Sequence, residues 1–302
     1  MSFQLELVRF ILKVISGKKV LSANILKPKR NMKVFDSSRF SSGIGVQQTV
    51  INGFPLTTLI PELPKGKHVL FFHGGSYVME ATPAHRRLAE ALCKDFGMKV
   101  TLMQYPLGPE NDQRRTFHYL ISAYRYLQDN FSKDVFLFFG DDAGGGLALA
   151  FLQYLRLSDD LPLPVGTVLL SPWIDLSMSN PDIDLFERKD PVLSKRALQS
   201  AARKYADVLD LRNSRVSPLF GPMDHLGDIL IMFGTNELFY PDCILLKEKL
   251  EAAAKTNVDT LIYKGAIHNW ILYPVPERAR AIEEAANWML NRKDTKPIYK
   301  EL

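Results

Sequence analysis

The feature that most constrains this chain is an alternation of short apolar runs with longer stretches of helical period. Apolar runs occupy residues 68–72, 99–103, 135–139, 167–170, 229–233 and 258–263. Helical patterns at 84–96, 114–130, 143–155 and 243–254 fall between most of them, and a last one at 277–291 closes the chain with Pro276 at its start. A strand that is apolar on both sides is expected to be covered on both faces. Strands joined by helical crossovers run parallel. Runs at 46–51 and 54–60 flank Asn52-Gly53, the dipeptide that favours a two-residue hairpin. The expected fold class is therefore α/β: a mostly parallel central sheet with helices on both faces, opened by an antiparallel hairpin.

Two intervals break the rhythm. Residues 178–222 separate two strands and hold a helix-like stretch at 194–205 between Pro-bounded turns. An excursion of that length is a lid or part of a pocket. Residues 1–40 also stand outside the alternation. The expectation is one domain over 1–302 with a helical cap drawn from 1–40 and 178–222. Phe3, Leu7, Phe10, Ile11 and Val14 recur at near-helical spacing, and they are expected to face into that cap rather than a membrane.

Composition excludes several classes. Hydrophobic residues make up 46% and charged residues 24%, which is ordinary for a globular core. The net charge of +5 comes from 38 basic and 33 acidic residues, scattered except for short pairs such as Lys18-Lys19 and Arg86-Arg87. No basic stripe marks a nucleic-acid surface. No apolar run reaches the roughly 18 residues of a membrane span, so stable membrane insertion is not expected. The apolar stretch 3–15 carries Glu6, Arg9 and Lys13 and no small-residue cleavage site, unlike a signal peptide. Cys93 and Cys243 suggest no disulfide framework, and a cytoplasmic setting is expected. His85, His118 and His225 share no metal-ligand spacing, so neither metal nor cofactor is expected. The glycines at 144–146 lack the Lys-Ser/Thr of a phosphate-binding loop.

In doubly wound sheets the site lies at the carboxyl ends of the strands. His73-Gly74-Gly75-Ser76-Tyr77 follows the run at 68–72, and its paired glycines free backbone N–H groups to point into a cavity. Gly140-Asp141-Asp142-Ala143-Gly144-Gly145-Gly146 follows the run at 135–139 and leads straight into a helix. Small residues on both sides of position 142 suit a tight strand-to-helix turn that exposes its central side chain. Glu237 follows a third run and His268 the last. Turn residue, acid, histidine is the chain order of a nucleophile–acid–base triad on such a sheet. Asp242, the competing acid, is expected to cap a helix start after Pro241.

These residues resemble the hormone-sensitive-lipase-like group of α/β-hydrolases, which contains bacterial esterases and lipases. The resemblance runs from about residue 67 to 290. His73-Gly74-Gly75 matches the group's HGG motif. The segment from Tyr105 to Glu110 is similar to its Y-R-L-x-P-E, and Ser171 to Asp175 to its S-P-W-x-D. Asp190-Pro191 and Ser217-Pro218-Leu219 match its lid-flanking motifs. The resemblance implies an α/β-hydrolase fold, a small-molecule ester or acyl ligand, and Glu237 and His268 as acid and base. It further implies an oxyanion hole from Gly74, Gly75 and Ala143, supported by His73, Asp141 and Glu110. Homo-oligomerisation is left open.

One position departs. The group's turn reads G-D-S-A-G-G, and here Asp142 stands where the serine is expected. A carboxylate is a weak nucleophile toward an ester, and the product would be an anhydride. Ordinary serine-esterase turnover is therefore expected to be very low. Asp142 is expected instead to fill the oxyanion hole itself, beside His268. Three readings follow: an esterase scaffold whose serine was lost by drift or design, a pseudoenzyme that binds an acyl or small apolar ligand, and an Asp-nucleophile hydrolase acting at saturated carbon. Ser76 is a loop residue in place of a third glycine rather than a substitute nucleophile.

Overall fold

A computed structural model describes residues 2–30, 35–158 and 160–293. Strands β1 (Ile44–Ile51) and β2 (Phe54–Pro61) form the expected hairpin, with Asn52 at φ 51° and Gly53 at φ 85°. Those two positive φ values match the turn to the strands' twist. Strands β3 (Lys67–Phe72), β4 (Lys99–Met103), β5 (Val135–Asp141), β6 (Thr167–Leu170), β7 (Gly227–Asn236) and β8 (Thr256–Ile267) complete the sheet in the order β1-β2-β4-β3-β5-β6-β7-β8. The pairs β1–β2 and β2–β4 are antiparallel, and every later pair is parallel. This is the α/β fold expected from the alternation. The last strand corrects one expectation: β8 lies at the sheet edge and is exposed at alternate positions. Its Asp259 and Tyr263 are the polar groups such an edge tolerates.

The crossover helices are α3 (Pro83–Lys94), α4 (Gln113–Asn130) and α5 (Ala143–Leu157), and the first two begin at side-chain caps. Asp112 accepts hydrogen bonds from the N–H groups of Arg114 (2.9 Å) and Arg115 (3.1 Å), and Thr82 forms a capping box with His85. Helix α5 is apolar all round because it is buried between the sheet and the segment after β6. Its glycines permit backbone-to-backbone approach: a Cβ on Gly144 would lie 2.0 Å from the Phe72 carbonyl oxygen. The site therefore sits where α5 is pressed closest to the sheet.

The two irregular segments meet. Helices α1 (Phe3–Val14) and α2 (Gly17–Leu26) form the first, and α6 (Ile183–Lys189) and α7 (Lys195–Ala206) the second. The sequence pattern had shown α7 but neither α2 nor α6. Helix α2 packs on α7, Lys18 Nζ donates to the Glu187 carbonyl (2.6 Å), and Lys204 Nζ donates to the Leu26 carbonyl (2.8 Å). Residues 1 and 31–34 of the first cap segment lie outside the described residues.

Helix α1 corrects a second expectation. Leu5 is buried, with Val8 and Leu12 packed beside it. The stripe expected to face inward is the one left in solvent: Phe3 is 79% exposed, Phe10 63% and Val14 65%, with Leu7 and Ile11 also exposed. Ser2 ties the helix start to Glu277 through Oγ (2.7 Å) on α9 (Pro276–Leu290), and that contact turns the Leu5 face inward.

Candidate active site

Asp142 stands alone between β5 and α5, with φ 50° and ψ −122°. The positive φ was foreseen, but this ψ is outside the left-handed helical basin, in a region strained for any residue with a Cβ. The strain is held by the backbone. Asp142 N–H donates to the Leu170 carbonyl (3.0 Å), and its own carbonyl accepts from Trp173 (2.9 Å) and from Gly145 and Gly146 of α5. Adjacent strands thus fix the direction of the side chain.

The facing loop has positive φ at Gly75 (124°), Ser76 (53°) and Tyr77 (61°). Successive residues in such conformations aim their N–H groups at one point and form an anion-binding concavity. Asp142 Oδ2 occupies that point, accepting from Gly75 N–H at 2.9 Å and Ser76 N–H at 2.8 Å. A Cβ on Gly75 would lie 2.6 Å from the Met79 carbonyl oxygen, so the loop requires glycine there. The donor set differs from the expected Gly74, Gly75 and Ala143. Gly74 N–H is committed to Asp141 Oδ1 (2.9 Å). Ala143, the first residue of α5, makes no hydrogen bond to the Asp142 side chain among the described residues. The direction of the loop, set by its φ values, moves the donor pair one residue onward to Ser76.

Asp141 organises the site from behind. Its Oδ1 holds Gly74, while its Oδ2 accepts from His85 Nε2 (3.1 Å) and Asn269 Nδ2 (2.8 Å). One carboxylate thereby ties together the β3 loop, α3 and the residue after His268. Burial raises the Asp141 pKa, but His85 and the Gly74 N–H outweigh it and hold it below the usual carboxylate value. His73 is buried against Tyr105 (centroids 4.5 Å apart) and directs Nδ1 at the Gly74 carbonyl (2.6 Å). Burial, reinforced by His85, lowers its pKa to about 4 and leaves it neutral.

Glu237 and His268, far apart in sequence, arrive together because β7 and β8 are neighbours. His268 Nε2 is 3.9 Å from Asp142 Oδ1, and Nδ1 is 3.8 Å from Glu237 Oε2. Both gaps exceed hydrogen-bond length. Glu237 Oε2 is instead held by Ser171 Oγ at 2.6 Å. Burial pushes the Glu237 pKa well above the usual range; the Ser171 bond opposes this, while Asp190 and Asp142 reinforce it. Asp190, buried alongside and bonded by the N–H groups of Val192, Leu193 and Leu238, is also raised by burial. Asp190 was quoted in a motif but not expected at the site.

Two further expectations are corrected. Glu110 does not support the oxyanion loop directly; its half-exposed carboxylate accepts from Arg30 (2.7 Å), whose guanidinium also reaches the Val78 and Gly108 carbonyls. Asp242 does not cap α8 (Tyr240–Glu251): Phe239 holds the cap position, and Asp242 lies in the first turn with its carboxyl buried. Burial, with Asp175 nearby, pushes its pKa up to about 7. Sequence reasoning missed His85, Asn269 and Ser171. Their one available signal was position, at a capping box, directly after His268, and at the head of the S-P-W-x-D-like segment. Among the described residues no group of three or more His, Cys, Asp or Glu is placed to hold a metal ion.

A nest of N–H groups, a strained strand-to-helix turn, an acid after β7 and a histidine after β8 thus gather at the carboxyl ends of the strands, where sheets of this kind bind their ligands. Residues 69–272 match the alpha/beta hydrolase fold family, and the chain belongs to it. The chain is 32% identical over 232 residues to an acetyl-hydrolase of Streptomyces hygroscopicus, covering 76% of this chain and 77% of that one. It is 30% identical over 225 residues to an esterase of Acinetobacter venetianus, 73% of each being covered. A crystal structure titled hormone-sensitive lipase, from a metagenome library, superposes with a TM-score of 0.78 at 25% identity, over 93% of this chain and 98% of that one.

Proposed function

We propose that this chain is an esterase scaffold whose own side chain occupies the oxyanion site, so that it binds small ester or acyl ligands without turning them over as a serine esterase does. The observation that carries this reading is the position of Asp142 Oδ2, at 2.9 and 2.8 Å from the Gly75 and Ser76 N–H groups. Catalytic oxyanion donors work at 2.7–3.1 Å from a developing negative charge. Here a charged-type acceptor is already at that distance. A substrate oxyanion would have to displace it, at about 1.5–3 kcal/mol for each charge-assisted hydrogen bond lost. Even then, carboxylate attack on the ester carbonyl would expel the alkoxide and leave a mixed anhydride on Asp142. With a serine at 142, His268 would take the hydroxyl proton and the vacated N–H pair would receive the oxyanion.

The test compares this chain with Asp142→Ser on a short-chain nitrophenyl ester. The variant is expected to exceed the present chain by at least about a thousandfold, within the roughly million-fold range typical of losing a catalytic serine. It should also react with a serine-directed phosphonate. Equal ester turnover by both chains would overturn the reading.

A second reading rests on Asp142 Oδ1, which has no hydrogen-bond partner among the described residues and faces His268. That oxygen could displace a halide or open an epoxide at saturated carbon, forming an alkyl ester on Asp142. Water deprotonated by His268 would then attack the Asp142 carboxyl carbon, releasing the alcohol and restoring the carboxylate. Turnover of an alkyl halide by this chain, abolished in Asp142→Ser, is the result that selects it.

A further inference from the structure

Helix α1 has two apolar faces. Leu5, Val8 and Leu12 are used against the protein body. Phe3, Leu7, Phe10 and Val14, at spacings of three and four, form a second stripe along the helix that is exposed among the described residues, and Ile11 and Ile15 widen it. The next helix adds exposed Val20 and Leu26. A contiguous apolar patch of large side chains marks an interaction surface. We propose that this face of α1 docks the protein peripherally on an anionic lipid membrane.

The choice of occupant follows from charge. Glu6 is the only acid between residues 1 and 30, and it is paired with Arg9 at 3.6 Å. Lys13 on α1, Lys19 on α2, and Lys27 and Lys29 just after α2 are all exposed. Large exposed apolar side chains with exposed lysines in the same segment are the pattern of a helix lying in the headgroup plane, its apolar face immersed by about 5–10 Å. Anionic headgroups then meet the lysines. A second copy of this chain fits less well, because a two-fold contact sets the same patch against itself. Lysine would then approach lysine around the rim. The helix has 12 residues, well short of the roughly 20 needed to span a bilayer, so it lies on the surface.

This surface is independent of the chemistry at Asp142 and is tested with the full chain. Co-sedimentation is measured with vesicles of phosphatidylglycerol mixed with phosphatidylcholine, and with phosphatidylcholine alone. Binding to the anionic vesicles is expected to be at least about tenfold tighter and to weaken with salt. The double variant Phe10→Ser, Val14→Ser should lose at least about tenfold in vesicle affinity and keep its melting temperature, since both side chains are exposed. In Phe10→Trp, the indole emission should shift to shorter wavelength on anionic vesicles only. Absence of vesicle binding would overturn the proposal, as would binding that the Phe10→Ser, Val14→Ser variant retains. A concentration-dependent dimer that Phe10→Ser, Val14→Ser dissolves, with no vesicle binding, would assign the face to a second copy instead.

Discussion

Asp141→Ala is expected to be among the most damaging substitutions in the chain, although Asp141 is not placed to react. It is fully buried, and its two oxygens accept from Gly74 N–H, His85 Nε2 and Asn269 Nδ2. Truncation leaves three buried donors unmatched, each worth about 1–3 kcal/mol if nothing replaces the acceptor. Local relaxation recovers part of that sum, so a loss of about 4 kcal/mol is expected. That is a large fraction of the roughly 5–15 kcal/mol by which a native domain is stable. Urea unfolding at neutral pH measures it, and a double-mutant cycle with His85→Ala isolates the pair: the second truncation should cost much less in the Asp141→Ala background than alone. Asp141→Asn is no rescue, because its amide would turn a donor toward Gly74 N–H or toward His85 and Asn269. Sign also matters. The folded pKa of Asp141 lies below its unfolded value, so its stabilisation is present above about pH 4 and fades as pH falls through the folded pKa. A neutral-pH loss below about 1 kcal/mol, or additive effects in the cycle, would refute Asp141 as the tie between these three segments.

Two further outcomes are expected from the same reasoning. Asp242 holds its proton up to about pH 7 in the folded state, whereas an unfolded aspartate releases it near pH 4. The group therefore lowers stability progressively between those values, and Asp242→Asn should raise the melting temperature above pH 7 while changing little near pH 4. An equal effect at both pH values would show that its charge is not the cause. On α1, Leu5→Ala should cost about 2–5 kcal/mol as a buried leucine. Phe10→Ala should stay within about 0.5 kcal/mol, and a reversal in chemical denaturation would mean that α1 presents its other face to the body.

Much of the fold was legible because its signals are local. Apolar runs, helical periodicity and Asn52-Gly53 act within a few residues, so strands, hairpin and crossover helices could be placed directly. The chain order Asp142, Glu237, His268 located the site because parallel strands deliver their following residues to one edge of a sheet. What the sequence could not decide was direction. Whether Gly74 or Ser76 N–H meets Asp142 depends on three consecutive φ values, and these are set by the packing of Gly75 against Met79 and by Asp141 capturing Gly74. Which apolar stripe of α1 faces inward depends on how α1 rests on α9, and both stripes carry the same helical period. The partners of Asp242 and Glu110 were misjudged for the same reason: a carboxyl's neighbours come from distant segments. The sequence by itself determined the kind of sheet and the residues gathered at its edge; the tertiary structure decided which atom of each faces which, because hydrogen bonds and burial are fixed by ångström-scale contacts between segments far apart in the chain.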